Sequence, residues 1–244
     1  MATVDRSLAQ AVIVALGIAA GGALAGNGIV RARLVDRTVS VKGVSERPAK
    51  ADLAIWPLRV VASDNDLTQA NAKLEASVRT VRQFLARHQL DTTALSVQDF
   101  SVTDASLTAT ERESTRSARY IIREALVVRS TKPDLVLAAS QRVAELVSAG
   151  VVLSSGDAGG GGPTFVFTGL NNLKPAMIAE ATAQAREAAE QFARDSHSEV
   201  GGIRQASQGI FEILPRDQAP GISEESQVDK TVRVVSTIDY LLKN

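Results

Sequence analysis

Residues 39–88 read VSVKGVSERPAKADLAIWPLRVVASDNDLTQANAKLEASVRTVRQFLARH, two strand-like runs followed directly by a helix. The first run, residues 39–44, alternates Val39 and Val41 with Ser40 and Lys42 at the strand period and stops near Glu46-Arg47-Pro48. The second, residues 51–63, carries Leu53, Ile55, Leu58 and Val60. Pro57 interrupts it, and a residue without an N–H requires an edge position or a bulge. Asp64 or Asn65 then caps a helix over residues 66–88, whose apolar face is Leu67, Ala70, Leu74, Val78, Val81 and Leu85.

Adjacent strands recur further along. Residues 96–103 and 120–130 read as strands joined by a polar stretch, residues 104–119, that is too long for a tight turn. Thr131 caps a second helix with Pro133 in its first turn, running past Leu135, Ala139, Val143 and Leu146 to a stop at Gly150. A short strand at 151–153, the loop SSGDAGGGGP and a strand at 164–168 follow. A third helix covers residues 173–197 with Ile178, Ala181, Ala185, Ala188 and Phe192 on one face, and strands at 203–214 and 231–242 close the chain. Paired strands between helices predict α+β with mostly antiparallel strands and three helices, rather than a doubly wound parallel sheet.

Upstream, residues 7–30 (SLAQAVIVALGIAAGGALAGNGIV) hold no charge, and Arg31 and Arg33 end the run. A helix needs about 20 apolar residues to span a bilayer, so this stretch is expected to be a single-pass transmembrane anchor. A cleavable secretory signal is the alternative, because Ala23-Leu24-Ala25 before Gly26 has the spacing signal peptidase accepts. On a helical wheel Gly17, Gly21, Ala25 and Gly28 coincide with Gly22 and Gly26 close by. Gly17, Gly21, Gly22, Ala25 and Gly26 are thus candidate helix contacts in lipid, where small residues let backbones approach. The chain is therefore read as residues 1–36, anchor or signal plus linker, and residues 37–244, an α+β body. Arg31, Arg33, Arg37 and Lys42 follow the run and only Arg6 precedes it, so the positive-inside rule alone puts the body in the cytoplasm.

Composition excludes several function classes. Lys plus Arg and Asp plus Glu each number 27, which gives no basic excess to attract nucleic acid. Cysteine is absent, removing disulfides, thiolate nucleophiles and zinc–thiolate sites together. His88 and His197 have no H-x-x-x-H partner and read as partly exposed helix-end residues. The Gly159–Gly162 run is followed by Pro163 and a strand, without the Lys-Ser or Lys-Thr of a phosphate loop. No G-x-S-x-G elbow occurs. Glu111, Glu113, Glu224 and Glu225 read as solvated loop charges, and Arg112, Arg116 and Arg119 as a surface hairpin. No cofactor, metal site or catalytic residue is expected.

Val39-Ser40-Val41-Lys42-Gly43, then Ser45-Glu46, then Ala51-Asp52-Leu53-Ala54 resembles the opening of the SIMPL domain, a short strand ending in Gly, a Glu, and a strand introduced by a small-Asp step. Ala181, Ala185, Arg186, Ala188, Ala189 and Ala193 look like that family's alanine-rich helix. Gly201-Gly202-Ile203 resembles its Gly turn into the next strand, and residues 232–242 its closing strand. Ser196-His197-Ser198-Glu199 departs from the pattern, where a smaller apolar run with a glycine is expected. The resemblance covers residues 37–242. It implies a cell-envelope, usually periplasmic, location, no accepted enzymatic activity and a tendency to form homo-oligomers, including large rings. The expected protein is thus a non-enzymatic scaffold of the bacterial inner membrane. An accessory subunit of a larger membrane-protein complex is the alternative, and a hydrolase with an atypical site a third.

Overall fold

β1 (Thr38–Lys50) and β2 (Leu53–Asp64) follow one another in a computed structural model that describes residues 12–22, 37–93, 95–107, 118–154 and 161–243. Ahead of them, residues 12–22 form a helix, α1. The remaining order is α2 (Leu67–Arg87), β3 (Ser96–Asp104), β4 (Tyr120–Ser130), α3 (Pro133–Ser140), α4 (Ala144–Ser148), β5 (Val152–Ser154), β6 (Thr164–Val166), α5 (Leu170–Asp195), β7 (Glu199–Gln208), β8 (Glu212–Pro215) and β9 (Asp229–Lys243). The fold is α+β, and every pairing within the five-stranded sheet is antiparallel.

The chain divides into two compact units. In the larger, residues 44–183 with 208–236, the sheet order is β3-β4-β2-β5, with β6 also on β2. Alternation along β2 turns Ala54, Trp56, Leu58 and Val60 to one face, where they form a core with Leu74, Val81, Phe84 and Leu85 of α2. A second cluster joins Met177 and Ala181 of α5 to Val232 and Val234 of β9. The smaller unit combines residues up to 43 with 184–207 and 237 onward. Its core is Val39, Ala185, Ala189, Ile238 and Tyr240. β1, β9 and β7 are neighbours in that order, and β8 also pairs with β9.

Pro57 lies in a central strand but at a local edge. β6 pairs with β2 at Leu53–Ile55 and β5 at Arg59–Val61, so beside Pro57 the only paired neighbour among the described residues is β4. β1 runs through Gly43 and Pro48 to Lys50 instead of stopping, because it is the outer strand of its sheet and proline is tolerated there. Among the described residues the body holds four α-helices rather than three. The expected second helix breaks into α3 and α4 where Ser140 Oγ bonds back to the Leu137 carbonyl and the next backbone bonds tighten to three-residue spacing. The expected strand 203–214 is likewise two, β7 and β8. Gly209 donates to the Val235 carbonyl, whereas Glu212 already faces Arg233, three residues against two. A Cβ at Gly209 would sit 2.8 Å from that carbonyl oxygen. Along α5 the buried line is Met177, Ala181, Ala185, Ala189 and Ala193, one i+4 ridge, while Ala188 and Phe192 are exposed.

Three helices end on the same device. After α4, Gly150 at φ 85° donates to Val147 and Val151 donates to Leu146. After α2 the left-handed residue is Gln89 (φ 59°), with Gln89 N–H to Ala86 and Leu90 N–H to Leu85. After α5 it is His197 (φ 54°), with His197 to Arg194 and Ser198 to Ala193. The turn after α5 is therefore made at the position where the family pattern expects a glycine, and Gly201-Gly202 lie inside β7 rather than in a turn. Gln89→Gly and His197→Gly are each expected to stabilise the fold by about 0.5–1 kcal/mol, since glycine avoids the left-handed strain at a smaller entropic cost. Calorimetry should show the melting temperature rising by about 2–4 °C per kcal/mol. A fall in either variant would contradict these assignments.

Candidate functional site

The pleat of β1 sorts the Ser45-Glu46-Arg47 step. Ser45 is fully buried and donates its hydroxyl to Glu180 Oε2 of α5 at 2.9 Å, and Arg47 reaches the same oxygen at 3.2 Å. Glu46, one residue out of phase, has an oxygen 3.3 Å from Arg233 Nε of β9, an ion pair outside hydrogen-bond geometry. Asp52 accepts from the Thr168 N–H at 2.9 Å and from its hydroxyl at 3.0 Å, fixing the entry to α5. That anchor starts the helix at Leu170, earlier than its periodicity indicates, and leaves Pro175 inside it. The Ser45, Arg47 and Asp52 contacts staple strand to helix, while the Glu46–Arg233 ion pair joins β1 to β9.

The Ser45 hydroxyl and then the Arg47 guanidinium hold the Glu180 carboxyl below its ordinary range. A carboxyl with a depressed folded pKa contributes stability that is present above its unfolded value of about 4.3 and lost as pH falls through the folded one. Glu180→Gln is therefore expected to melt below wild type at pH 7, the gap closing below about pH 4. A gap constant from neutral to acid pH would contradict the pairing.

The remaining charged candidates are also structural where described. Asp66, not Asp64 or Asn65, caps α2 by accepting from the Gln69 N–H at 3.0 Å. Asp64 pairs with Lys73, and Asn65 accepts from the Arg119 N–H. Arg119 bonds Asp104 across the neck of the β3–β4 connection and lies over the Tyr120 ring. Ser106 and then Arg119 lower the Asp104 pKa. Arg112, Arg116, Glu111 and Glu113 lie outside the described residues, as do Gly159 and Gly160. Glu224 is not a solvated loop charge: it pairs with Lys230, whose side chain is fully buried. His88 is half-buried at the end of α2, its ring against Phe84 and Nε2 3.7 Å from Glu145, and His197 is exposed. Among the described residues no cluster of His, Asp or Glu has metal-holding geometry.

A family comparison spans β1, the Ala51-Asp52 step, the alanine ridge and the first part of β9. The SIMPL model, described as a protein of unknown function, matches residues 39–237. The chain belongs to the SIMPL family. No curated protein matches it.

In this SIMPL chain, exposed apolar groups gather in two places. In α1, Val12, Ile13, Val14, Leu16 and Ile18 are each at least half exposed. Gly17, Gly21 and Gly22 lie on that helix with no atom, beyond their chain neighbours and the helix's own backbone, within 4 Å of where a Cβ would be, whereas Ala25 and Gly26 lie outside the described residues. No described helix is long and apolar enough to cross a membrane, and residues 7–11 and 23–30 of the expected anchor lie outside the described residues. The other place is β3, the outermost of the described strands of its sheet, where Val97, Phe100 and Val102 are exposed. The sequence pattern hides that row, because a bulge between Val97 and Asp99 breaks the two-residue alternation.

Proposed function

We propose that this SIMPL protein is a non-enzymatic component of the cell envelope, held in the inner membrane by its first helix with its body in the periplasm. It self-assembles as a scaffold or ring-like homo-oligomer. The observation that carries the reading is β3: nine residues long, paired on one side only among the described residues, and bearing three exposed apolar side chains. Strand edges are ordinarily blunted by lysine, proline, brevity, charge or a bulge; Ser96–Asp104 has no lysine or proline, and its bulge between Val97 and Asp99 leaves residues 99–104 in regular register, with Phe100 and Val102 exposed. The exposed apolar side chains of α1 support the anchor, since such a row is costly in water and favoured in lipid.

Native mass spectrometry of the protein extracted in mild detergent tests both parts. A single homo-oligomer built from protomers that retain residues 1–30 is the expected result. Protomers beginning at Gly26 would remove the anchor. A monomer would remove the scaffold, and foreign subunits in fixed ratio would replace it with an accessory role.

A further inference from the structure

The sheet of the larger unit carries its apolar layer one strand further than its helix covers. Val97 faces Leu126, Phe100 faces Glu124 and Val102 faces Ile122 across the β3–β4 ladder, and residues directly opposite in an antiparallel pair share a face. Leu126 and Ile122 are buried in the core that α2 helps to form, while Val97, Phe100 and Val102 are 55%, 54% and 47% exposed. Phe100 and Glu124 form one wall of a groove of about 430 Å³; Leu74, Val78, Glu75 and Arg79 of α2 form the other. In the other phase of the pleat, Ser101 and Thr103 give β3 a polar face.

We propose that β3 is a self-pairing edge, at which a second copy of this chain adds its own β3 antiparallel about a two-fold axis near Ser101. The inference rests on the self-assembly reading above and names its contact. Centred there, the pairing sets each Phe100 against the partner's Val102 and the partner's Phe100 against Val102, so two of the three exposed apolar positions of each row meet at once. Charge favours a second copy as the occupant. The flank of α2 above the groove carries Glu75, loosely paired with Arg79 at 3.9 Å within the helix and exposed, and then Arg82, whose charge also acts on Glu124. A two-fold axis reverses that order and brings the acidic end of one copy toward the basic end of the other, as an isologous contact requires. Asp104, at the end of the strand, is already paired with Arg119 and adds no uncompensated repulsion.

The chain has no cysteine, so one introduced thiol reports one contact. In the full chain extracted in mild detergent, Ser101→Cys is expected to yield a disulfide-linked dimer on mild oxidation, because opposed residues of an antiparallel pair lie about 4.5–5.5 Å apart at Cα. Ser207→Cys, on exposed β7, serves as the comparison and should cross-link far less. Phe100→Asp should lower the assembled mass by at least half while leaving circular dichroism unchanged. Glu75→Arg should weaken assembly, and adding Arg82→Glu should restore it. A wild-type oligomer indifferent to Phe100→Asp, without a Ser101→Cys cross-link, overturns this contact and leaves self-assembly standing. A monomeric wild type overturns both. A foreign polypeptide released by Phe100→Asp would make the edge a site for another protein and would overturn the assignment to a second copy.

Discussion

Glu224→Ala is expected to destabilise the folded chain by about 3–5 kcal/mol, whereas Lys230→Met should cost little or even stabilise. β9 alternates buried and half-buried residues from Asp229, and the alternation puts Lys230 on the inward row with Val232 and Val234. Its ammonium reaches the Glu224 carbonyl at 2.7 Å and the Glu224 carboxylate, both on the short 3₁₀ turn Glu224–Ser226. Removing the carboxylate leaves a buried cation with one neutral acceptor, the costly case for a broken pair. Removing the cation instead leaves Glu224 with a partly exposed carboxylate that water can solvate. The double variant should recover most of the loss. Urea titration followed by fluorescence of Trp56, the single tryptophan, reads all three. Equal losses for the two single variants, or none for Glu224→Ala, would contradict the burial of Lys230.

Trp56→Ala is expected to cost about 3–5 kcal/mol, a large share of the 5–15 kcal/mol that holds a typical domain folded. Trp56 is 1% exposed, faces Val128 across the β2–β4 ladder and meets the Phe84 ring edge-on, centroids 6.4 Å apart. The neighbouring inward positions of β2 are Ala54 and Leu58, and both are already buried against α2, so little can move in to fill the space. Trp56→Phe keeps a ring beside Phe84 and should cost markedly less. Thermal unfolding followed by far-ultraviolet circular dichroism is the measurement, since the variants lose the fluorophore. A loss no larger than that of a surface substitution, about 0.5 kcal/mol, would place Trp56 outside the core.

Much of this architecture was legible from periodicity. The strand expected at residues 120–130 is β4 (Tyr120–Ser130), and α2 differs from its expected span by one residue at each end. Where the reading failed, a tertiary contact overrode a local pattern. Ser45, Glu46 and Arg47 look like the polar end of a strand, but their partners Glu180 and Arg233 lie more than 130 residues away, and they keep β1 extended to Lys50. Lys230 resembles a residue flanking a strand until Glu224 is seen to receive it. The bulge in β3 conceals the row of Val97, Phe100 and Val102, so the surface proposed for assembly cannot be recognised from spacing alone. The family motifs are likewise staples in the fold, so the resemblance carried architecture further than chemistry.

Light scattering of the full chain in mild detergent, beside a chain beginning at residue 37, tests whether the folded body drives self-assembly. Assembly through the body gives the same multiple of the protomer mass for both across micromolar concentrations. A strictly monomeric body beside an oligomeric full chain would contradict it and assign the contact to the small-residue row of Gly17, Gly21, Gly22, Ala25 and Gly26.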